Sequence, residues 1–479
     1  MTYLILTLLI ICGIMLRIIH LNQGLWIDEI LTLIDFVRLP FSDIVSSYTS
    51  NNNHVLFSAL AHLSTRLFGE HAWSLRLPSV LSGVLSIPVL YMLGRSVTDK
   101  CESLLAAALL TFSYHHIWFS QNARGYSLLL FWASVGTYFF LVGIKEGRLK
   151  AWIYYSMATA FGIYSHLNMV FLLIGHVIIY LGLILWDPQR CAVDGKRKLT
   201  PMIGFLLTGC LTFMLYLPMI GGMFKFYFGG SEHVGTKMAT PLWSLFEAIR
   251  SMEKGMNLGW VGVGVALVVF VSGFVSYWRE KRLVLVLFFL PPLLTVLATI
   301  LLKSSIFPRF FFFTFGFMLL IFVRGVMRIG SFLDRAVAPK SDERRFYSRT
   351  GVILVSVAIL LSASSLKWLY AFPKQDFEGA LLYVERNYTE GDPILVTGPA
   401  AVVYKRYYQK EWISVKSVRD IEYSRRKGHS TWLVYTLPRF LEAAHPDVMV
   451  SIKRDFKTVK IFRGTLGGGD VIVTRADPS

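Results

Sequence analysis

Eleven separate runs of this chain are apolar over the length a bilayer demands, and no other feature limits its folding as severely. They lie at 3–21, 74–95, 101–118, 121–144, 151–166, 168–186, 201–221, 257–277, 283–302, 310–328 and 350–371. A helix rising 1.5 Å per residue needs about 20 apolar residues to cross the hydrocarbon layer. With 479 residues, 54% of them hydrophobic and 15% aromatic, and a mean hydropathy of +0.54, the chain is excluded from the ordinary soluble globules. The expectation is a polytopic α-helical membrane protein of about eleven transmembrane helices.

The first run has no basic residue ahead of it and passes without a small-residue cleavage site into Arg17 and His20, so it reads as a retained helix. The net charge of +18 would point to nucleic acid in a soluble protein. Here Lys and Arg concentrate in short connections, as orientation signals do, and no nucleic-acid partner is expected. The four cysteines, Cys12, Cys101, Cys191 and Cys210, form neither a disulfide framework nor a CxxC metal site.

The basic connections are Arg95 to Lys100, "KEGRLK" (145–150), "DPQRCAVDGKRKLT" (187–200), "WREKR" (278–282) and the stretch 324–349. Placing all of them in the cytoplasm puts the amino terminus inside and residues 22–73, 119–120, 222–256, 303–309 and 372–479 outside. The segment "HVLFSALAHLSTRLF" (54–68) is the one piece that resists. It is short, carries His54, His62 and Arg66, and as a span it would invert every later loop. It is therefore expected to be a re-entrant or interfacial helix capped by the preceding "NNN". The first external loop, 22–73, then becomes unusually long, and long loops at membrane depth are usually functional.

Beyond residue 372 the apolar runs shorten to strand length. "PILVTG" (393–398), "WISVKS" (412–417), "TWLVYTL" (431–437), "TVKIFRG" (458–464) and "DVIVTR" (470–475) predict strands. Helical patterns at 376–388, 400–408 and 438–445 fall between them, and "GGG" (467–469) reads as a hairpin turn. The domain organisation is thus a transmembrane part, 1–371, and a small extracytoplasmic α/β domain, 372–479.

Three clusters could carry chemistry. In "GLWIDEILTL" (24–33), Asp28 and Glu29 sit inside an apolar context where ionised groups are costly and commonly functional. Adjacent residues on a helix are about 100° apart, so one acid is the better candidate base and the other its positioning neighbour. In "WFSQNARGYSLLLF" (118–131), Arg124 stands among Ser120, Gln121, Asn122 and Tyr126. A snorkelling anchor would need no such polar company, whereas a guanidinium among donors suits a phosphate. In "KSSIFPRFFFFTF" (303–315), Arg309 follows Pro308, and anchor and phosphate ligand are equally consistent with it. His54, His115, His116 and His166 match no metal spacing and are expected to make hydrogen bonds at a polar cavity.

An acid pair in the first external loop, "RLPSVLSGVLSIPVLYMLGRSV" (76–97), "FSQNARGYSLLLF", "PRFFFF" and a tail opening "QDFEGALLYVERNYTEGDPILV" together resemble the bacterial family-39-type glycosyltransferases. Those are GT-C fold enzymes related to protein O-mannosyltransferases and to the aminoarabinose transferase acting on lipid A. The resemblance spans nearly the whole chain. Its motifs are individually short, and their order carries the weight.

That resemblance implies Asp28 as catalytic base with Glu29 as its companion. It places Arg124 and Arg309 on the phosphate of a polyprenyl-phosphate sugar donor; His54, Gln121, Tyr126 and His166, read from the residues themselves, are expected to line the substrate cavity. Metal-dependent oligosaccharyltransferase relatives carry an acidic ligand in the segment equivalent to 121–131. "QNARGYSLLLF" has no acid, so no obligatory cofactor and no divalent metal are expected. The chain departs from the family where a Glu would precede "AR" and where tyrosine commonly follows Arg309.

The implied reaction is inverting transfer of a sugar to an acceptor glycan, lipid or protein, at the outer face of a bacterial cytoplasmic membrane. Phosphate leaves readily without a general acid, and arginines can hold its gained charge. A groove rich in Phe310 to Phe313 would take part of the lipid tail. The alternative function is a transporter or flippase of a lipid-linked sugar, binding through the same residues without chemistry. Such proteins tend to show two similar halves and charges at the midplane, and neither is evident here.

Overall fold

Apolar side chains facing lipid leave the backbone no option but internal hydrogen bonding, and the chain answers with a bundle of helices. In the computed structural model, residues 1–50, 52–186, 194–228, 259–302, 307–337 and 348–478 are described, with five positions between 244 and 250. Cys191, much of the basic connection 187–200, most of the external loop 222–256, "KSSI" at 303–306 and the basic residues of 338–347 lie outside the described residues.

The first ten helices are α1 (Thr2–Ile18), α2 (Ile27–Thr32), α3 (Phe41–Ser46), α4 (Val55–Phe68), α5 (Ala72–Val97), α6 (Lys100–Thr111), α7 (Tyr114–Ser120), α8 (Tyr126–Glu146), α9 (Leu149–Ser165) and α10 (Met169–Trp186). Later membrane helices include Gly259–Glu280, Arg282–Leu301, Phe315–Val337 and Arg349–Ala371. Among the described residues, seven helices are long and apolar enough to cross a membrane by length and composition. The chain is a multi-pass membrane protein.

Several boundaries differ from the expected runs, each for a local reason. The run 101–118 is divided because Ser113 accepts a hydrogen bond from His116 N at 3.3 Å and starts a new helix. The run beginning at 121 becomes helical only at Tyr126, because 121–125 form a turn in which Arg124 N–H donates to Asn122 O at 2.7 Å. The asparagines do not cap α4: His54 precedes it without a side-chain cap bond, and Asn53 Oδ1 instead accepts from the Ser58 hydroxyl at 2.9 Å. The aromatic run after Pro308 opens as a 3₁₀ turn, Pro308–Thr314, before the helix Phe315–Val337.

The C-terminal domain holds a mixed five-stranded sheet of β1 (Ile394–Thr397), β2 (Ile413–Val415), β3 (Thr431–Thr436), β4 (Lys457–Phe462) and β5 (Val471–Ala476) in the order β2-β1-β3-β5-β4. The pairs β1–β2 and β1–β3 are parallel; β3–β5 and β5–β4 are antiparallel. Helices Phe377–Asn387, Val418–Ser424, Pro438–Ala444 and Pro446–Asp455 accompany it, the second and fourth unanticipated by the hydrophobic pattern. In the β4–β5 turn, Gly469 N–H donates to Leu466 O at 3.0 Å and Gly468 has φ +69°, the left-handed conformation glycine tolerates best.

What positions the site is the seam between this domain and the first external loop. Trp26, Ile27, Ile30 and Leu33 share one buried cluster with Phe377, Tyr404, Val434 and Val473. The short helix carrying Asp28 and Glu29 is thereby clamped between the membrane bundle and the sheet domain.

Candidate active site

On α2 the two acids point apart, as neighbouring helical residues must. Glu29 is fully buried and paired with Arg76 of α5 through two parallel bonds, Nε to Oε1 at 2.8 Å and Nη2 to Oε2 at 2.6 Å. Ala123 N–H donates to it at 2.7 Å and Trp26 N–H at 3.3 Å. Burial alone would raise its pKa; the Arg76 guanidinium, joined by Lys374 and the Ala123 amide, overcomes that and holds the carboxyl below the usual carboxylate range. Arg76 also donates to the carbonyls of Leu21, Gln23 and Gly24. Glu29 and Arg76 thus form the post on which the loop hangs, and Glu29 is a positioning residue.

Asp28 faces the other way. Its Oδ2 lies 3.5 Å from Arg309 Nη1, with the two side chains 18% and 34% exposed. That oxygen is itself buried and has no hydrogen-bond partner among the described residues, and the same holds for Arg309 Nε, Arg124 Nε, Asn52 Nδ2 and His54 Nε2. Buried polar atoms left unpaired cost about 1–3 kcal/mol each, so a concentration of them marks a place shaped for something else.

Arg124 is held at its Nη1 by Thr32 Oγ1 at 3.3 Å, Asn52 O at 3.1 Å and the Asn52 side-chain oxygen. Its guanidinium lies 5.8 Å from the Tyr126 ring centroid, and that of Arg309 lies 4.6 Å from the Phe307 ring centroid. The rings of His54, Tyr126 and His166 meet at centroid distances of 5.2, 4.9 and 5.4 Å, with Phe310 6.0 Å from His166. Asp28, Arg124, Arg309, His54, Tyr126 and His166 therefore converge although they come from five separate segments.

Gln121 does not join them. Its amide donates to Arg17 O at 3.1 Å and Ile19 O at 2.7 Å, holding the end of α1. Ser120 binds Arg17 Nε at 3.2 Å, and Asn122 Oδ1 accepts from Trp26 Nε1 at 3.0 Å. The polar cluster beside Arg124 is thus turned by the 121–125 bend toward α1 and the loop, not toward the guanidinium. His116 likewise faces Arg17, at 2.6 Å from Nη2, inside the bundle.

Sequence reasoning missed three groups that set the acid helix. Gln375 Oε1 accepts from Ile27 N–H at 3.0 Å, while its Nε2 donates to Thr436 of β3 at 2.9 Å. Lys374 reaches Gln121 O and stands 3.9 Å from Glu29. Arg76 was visible only as a basic residue at the head of an apolar helix, a signal weak without its partner. Among the described residues, no group of three or more His, Cys, Asp and Glu converges in a manner that could hold a metal ion.

The fold, a helical membrane bundle with a short acid-bearing helix in the 22–73 loop and a small C-terminal sheet domain, is of the GT-C type. ArnT from Cupriavidus metallidurans in the apo state superposes with a TM-score of 0.50 and 11% identity, over 100% of this chain and 99% of that one. The Archaeoglobus fulgidus oligosaccharyltransferase AglB, in complex with an inhibitory peptide and a dolichol-phosphate, gives 0.52 and 12%, over 98% and 74%.

Residues 53–220 match the family model described as dolichyl-phosphate-mannose-protein mannosyltransferase. An undecaprenyl phosphate-alpha-4-amino-4-deoxy-L-arabinose arabinosyl transferase of Pseudomonas aeruginosa (strain UCBPP-PA14) is 27% identical over 241 residues, 47% of this chain and 43% of that protein. The match thus spans less than half the length of that curated relative. The chain is a GT-C-fold membrane protein related to ArnT and to the protein O-mannosyltransferases.

Proposed function

We propose that the protein is an inverting glycosyltransferase that moves a sugar from a polyprenyl-phosphate donor to an acceptor at the outer face of a bacterial inner membrane, with Asp28 as general base. The observation that carries this reading is Asp28 Oδ2, buried and ion-paired with Arg309 but without a hydrogen bond among the described residues, as are the Nε atoms of Arg309 and Arg124. The relatives named above act on undecaprenyl-phosphate-linked and dolichyl-phosphate-linked sugars, which supports the donor class.

Asp28 takes the proton of the acceptor hydroxyl or amine. The acceptor forms its bond to the anomeric carbon as the bond from that carbon to the phosphate oxygen breaks, with inversion. The electron pair leaves with polyprenyl phosphate, whose charge falls to Arg124 and Arg309. Arg309 serves twice, facing the Asp28 carboxyl before the proton moves and receiving the phosphate afterwards. No metal is needed in this scheme, because two guanidinium groups already supply the positive charge. Phe312 and Phe313 are buried in the bundle core, so within the run 310–313 it is the half-buried Phe310 and Phe311 that could meet the lipid tail.

The test is release of polyprenyl phosphate from a panel of polyprenyl-phosphate sugars by the purified protein and by Asp28→Asn, with membrane extract as acceptor. Wild type releases the lipid phosphate; Asp28→Asn binds donor and turns over about 10²–10⁴-fold more slowly. Equal turnover by both removes Asp28 as the base. Binding without turnover by either would make the protein a carrier of lipid-linked sugars.

A further inference from the structure

His54 and His166 are held by the backbone in opposite tautomers. His54 Nδ1 lies 3.1 Å from the carbonyl oxygen of Ser165. A carbonyl only accepts, so the proton sits on Nδ1 and the Nε2 of the neutral ring is a bare acceptor. His166 Nδ1 is met at 3.2 Å by the backbone N–H of Asn168, so there Nδ1 accepts and Nε2 carries the proton. The two rings stand 4.9 Å apart. His54 is 3% exposed, and its Nε2 is buried without a partner among the described residues.

An acceptor Nε2 on one ring and a donor Nε2 on a ring 4.9 Å away offer the two functions that complement a hydroxyl group, which gives one hydrogen bond and receives another. The arrangement is built into the chain at a further point. A Cβ on Gly125 would lie 2.7 Å from Ser165 O and 2.9 Å from His54 Nδ1, so any side chain there would displace the bond that sets the His54 tautomer. Burial, with Arg124 and Arg309 adding to it, keeps both rings neutral, His166 with a pKa down to about 3.

We infer that His54 and His166 form a hydroxyl-reading pair that selects a neutral sugar in the donor over one bearing an ammonium group at the same position. The inference rests on the transferase reading above and deepens it by naming the sugar class. An ammonium has only donors: it satisfies His54 Nε2 but faces the His166 N–H and the guanidinium groups of Arg124 and Arg309. The carboxylate of Asp28, which would attract it, is already paired with Arg309. Both rings pack against Tyr126, whose ring centroid lies 5.8 Å from the Arg124 guanidinium proposed to hold the donor phosphate.

The experiment uses the purified full-length protein and undecaprenyl phosphate carrying a neutral hexose, the same hexose with single hydroxyls removed at each ring position, and the same with single hydroxyls replaced by amines. Equilibrium binding and undecaprenyl phosphate release are both read. At one position the deoxy and amino forms are expected to fall about 100-fold or more in kcat/KM and to bind correspondingly weakly, as sites built to bond a hydroxyl reject analogues lacking it. In His54→Ala and His166→Ala that discrimination collapses while bare undecaprenyl phosphate still binds.

Equal binding of all forms by wild type, or acceptance of the amino form as readily as its parent, overturns the inference. The wild-type series decides it even if a variant fails to fold. Selective binding without release would sink the transferase reading and leave the pair standing, whereas release without selection would do the reverse.

Discussion

Glu29 and Arg76 are joined by two parallel hydrogen bonds, Oε1 to Nε at 2.8 Å and Oε2 to Nη2 at 2.6 Å, with both side chains shut away from water. Removing one member leaves the other charged, buried and alone. Glu29→Gln is expected to cost about 3–5 kcal/mol of stability, and the double change Glu29→Leu with Arg76→Met to restore much of it. Denaturation midpoints in a fixed detergent read the difference. Because the folded carboxyl titrates below its unfolded value, its contribution is present above the unfolded carboxylate range and is lost as pH falls through the folded pKa.

Lys374 gives a pH signature of the opposite kind. Burial pushes its ammonium down to about 7, with the Glu29 carboxylate opposing that and Arg76 reinforcing it. Between there and the unfolded lysine value the unfolded chain binds more protons, so this residue makes stability rise with pH, at most by about 1.4 kcal/mol per unit. Lys374→Met should abolish that slope. Thermal midpoints of the two proteins compared at several pH values from neutral upward will show it.

Neutral histidines should leave no mark on the pH–rate profile. Burial and the neighbouring Arg124 and Arg309 push His54 well below the ordinary imidazole value, and His166 to about 3. In the Lys374→Met background, kcat/KM should therefore show no inflection near the usual imidazole pKa of about 6.5. A limb there that disappears in His54→Ala would show a ring that is protonated in the free enzyme below that pH and contradict the neutral His54 argued above.

Gln375 should act on turnover rather than on donor affinity. It touches Ile27, the residue before Asp28, and is itself fixed by Thr436. Gln375→Ala is expected to lower kcat about 10-fold or more, since small misplacements of a catalytic group are costly, with donor KM nearly unchanged. Single-turnover release with saturating donor measures the chemical step directly. A change in KM alone would assign Gln375 to substrate binding instead.

The class of fold was readable because lipid imposes a long and unmistakable hydrophobic period, and the strands of the C-terminal domain were readable because their apolar runs are short and bounded by turns. Which charges stand out was partly readable as well: Asp28, Arg124 and Arg309 are costly charges in apolar surroundings, and the structure leaves a buried polar atom of each without a hydrogen bond among the described residues. The pairing was not. Glu29 finds Arg76 on another helix, and Ile27 finds Gln375 across the whole membrane domain, through contacts no local pattern encodes. Gln121 shows the converse error, since its place beside Arg124 in sequence predicted a shared cavity, and one bend sent its amide to α1 instead.

The strand order carries a consequence in time. Of the five strands, β5 comes last in the chain yet lies inside the sheet, zipped to β3 along six residue pairs and covered on its other edge by β4. A chain delivered across a membrane from its amino end exposes the acid helix early and supplies the sheet's closing strand only after everything else. Thr436, which steadies Gln375, also bonds Gly469 O and Asp470 O just ahead of β5. The brace on the acid helix is therefore completed only when the last strand of the chain is in place, and a chain still lacking that strand holds Asp28 without the alignment Gln375 gives it.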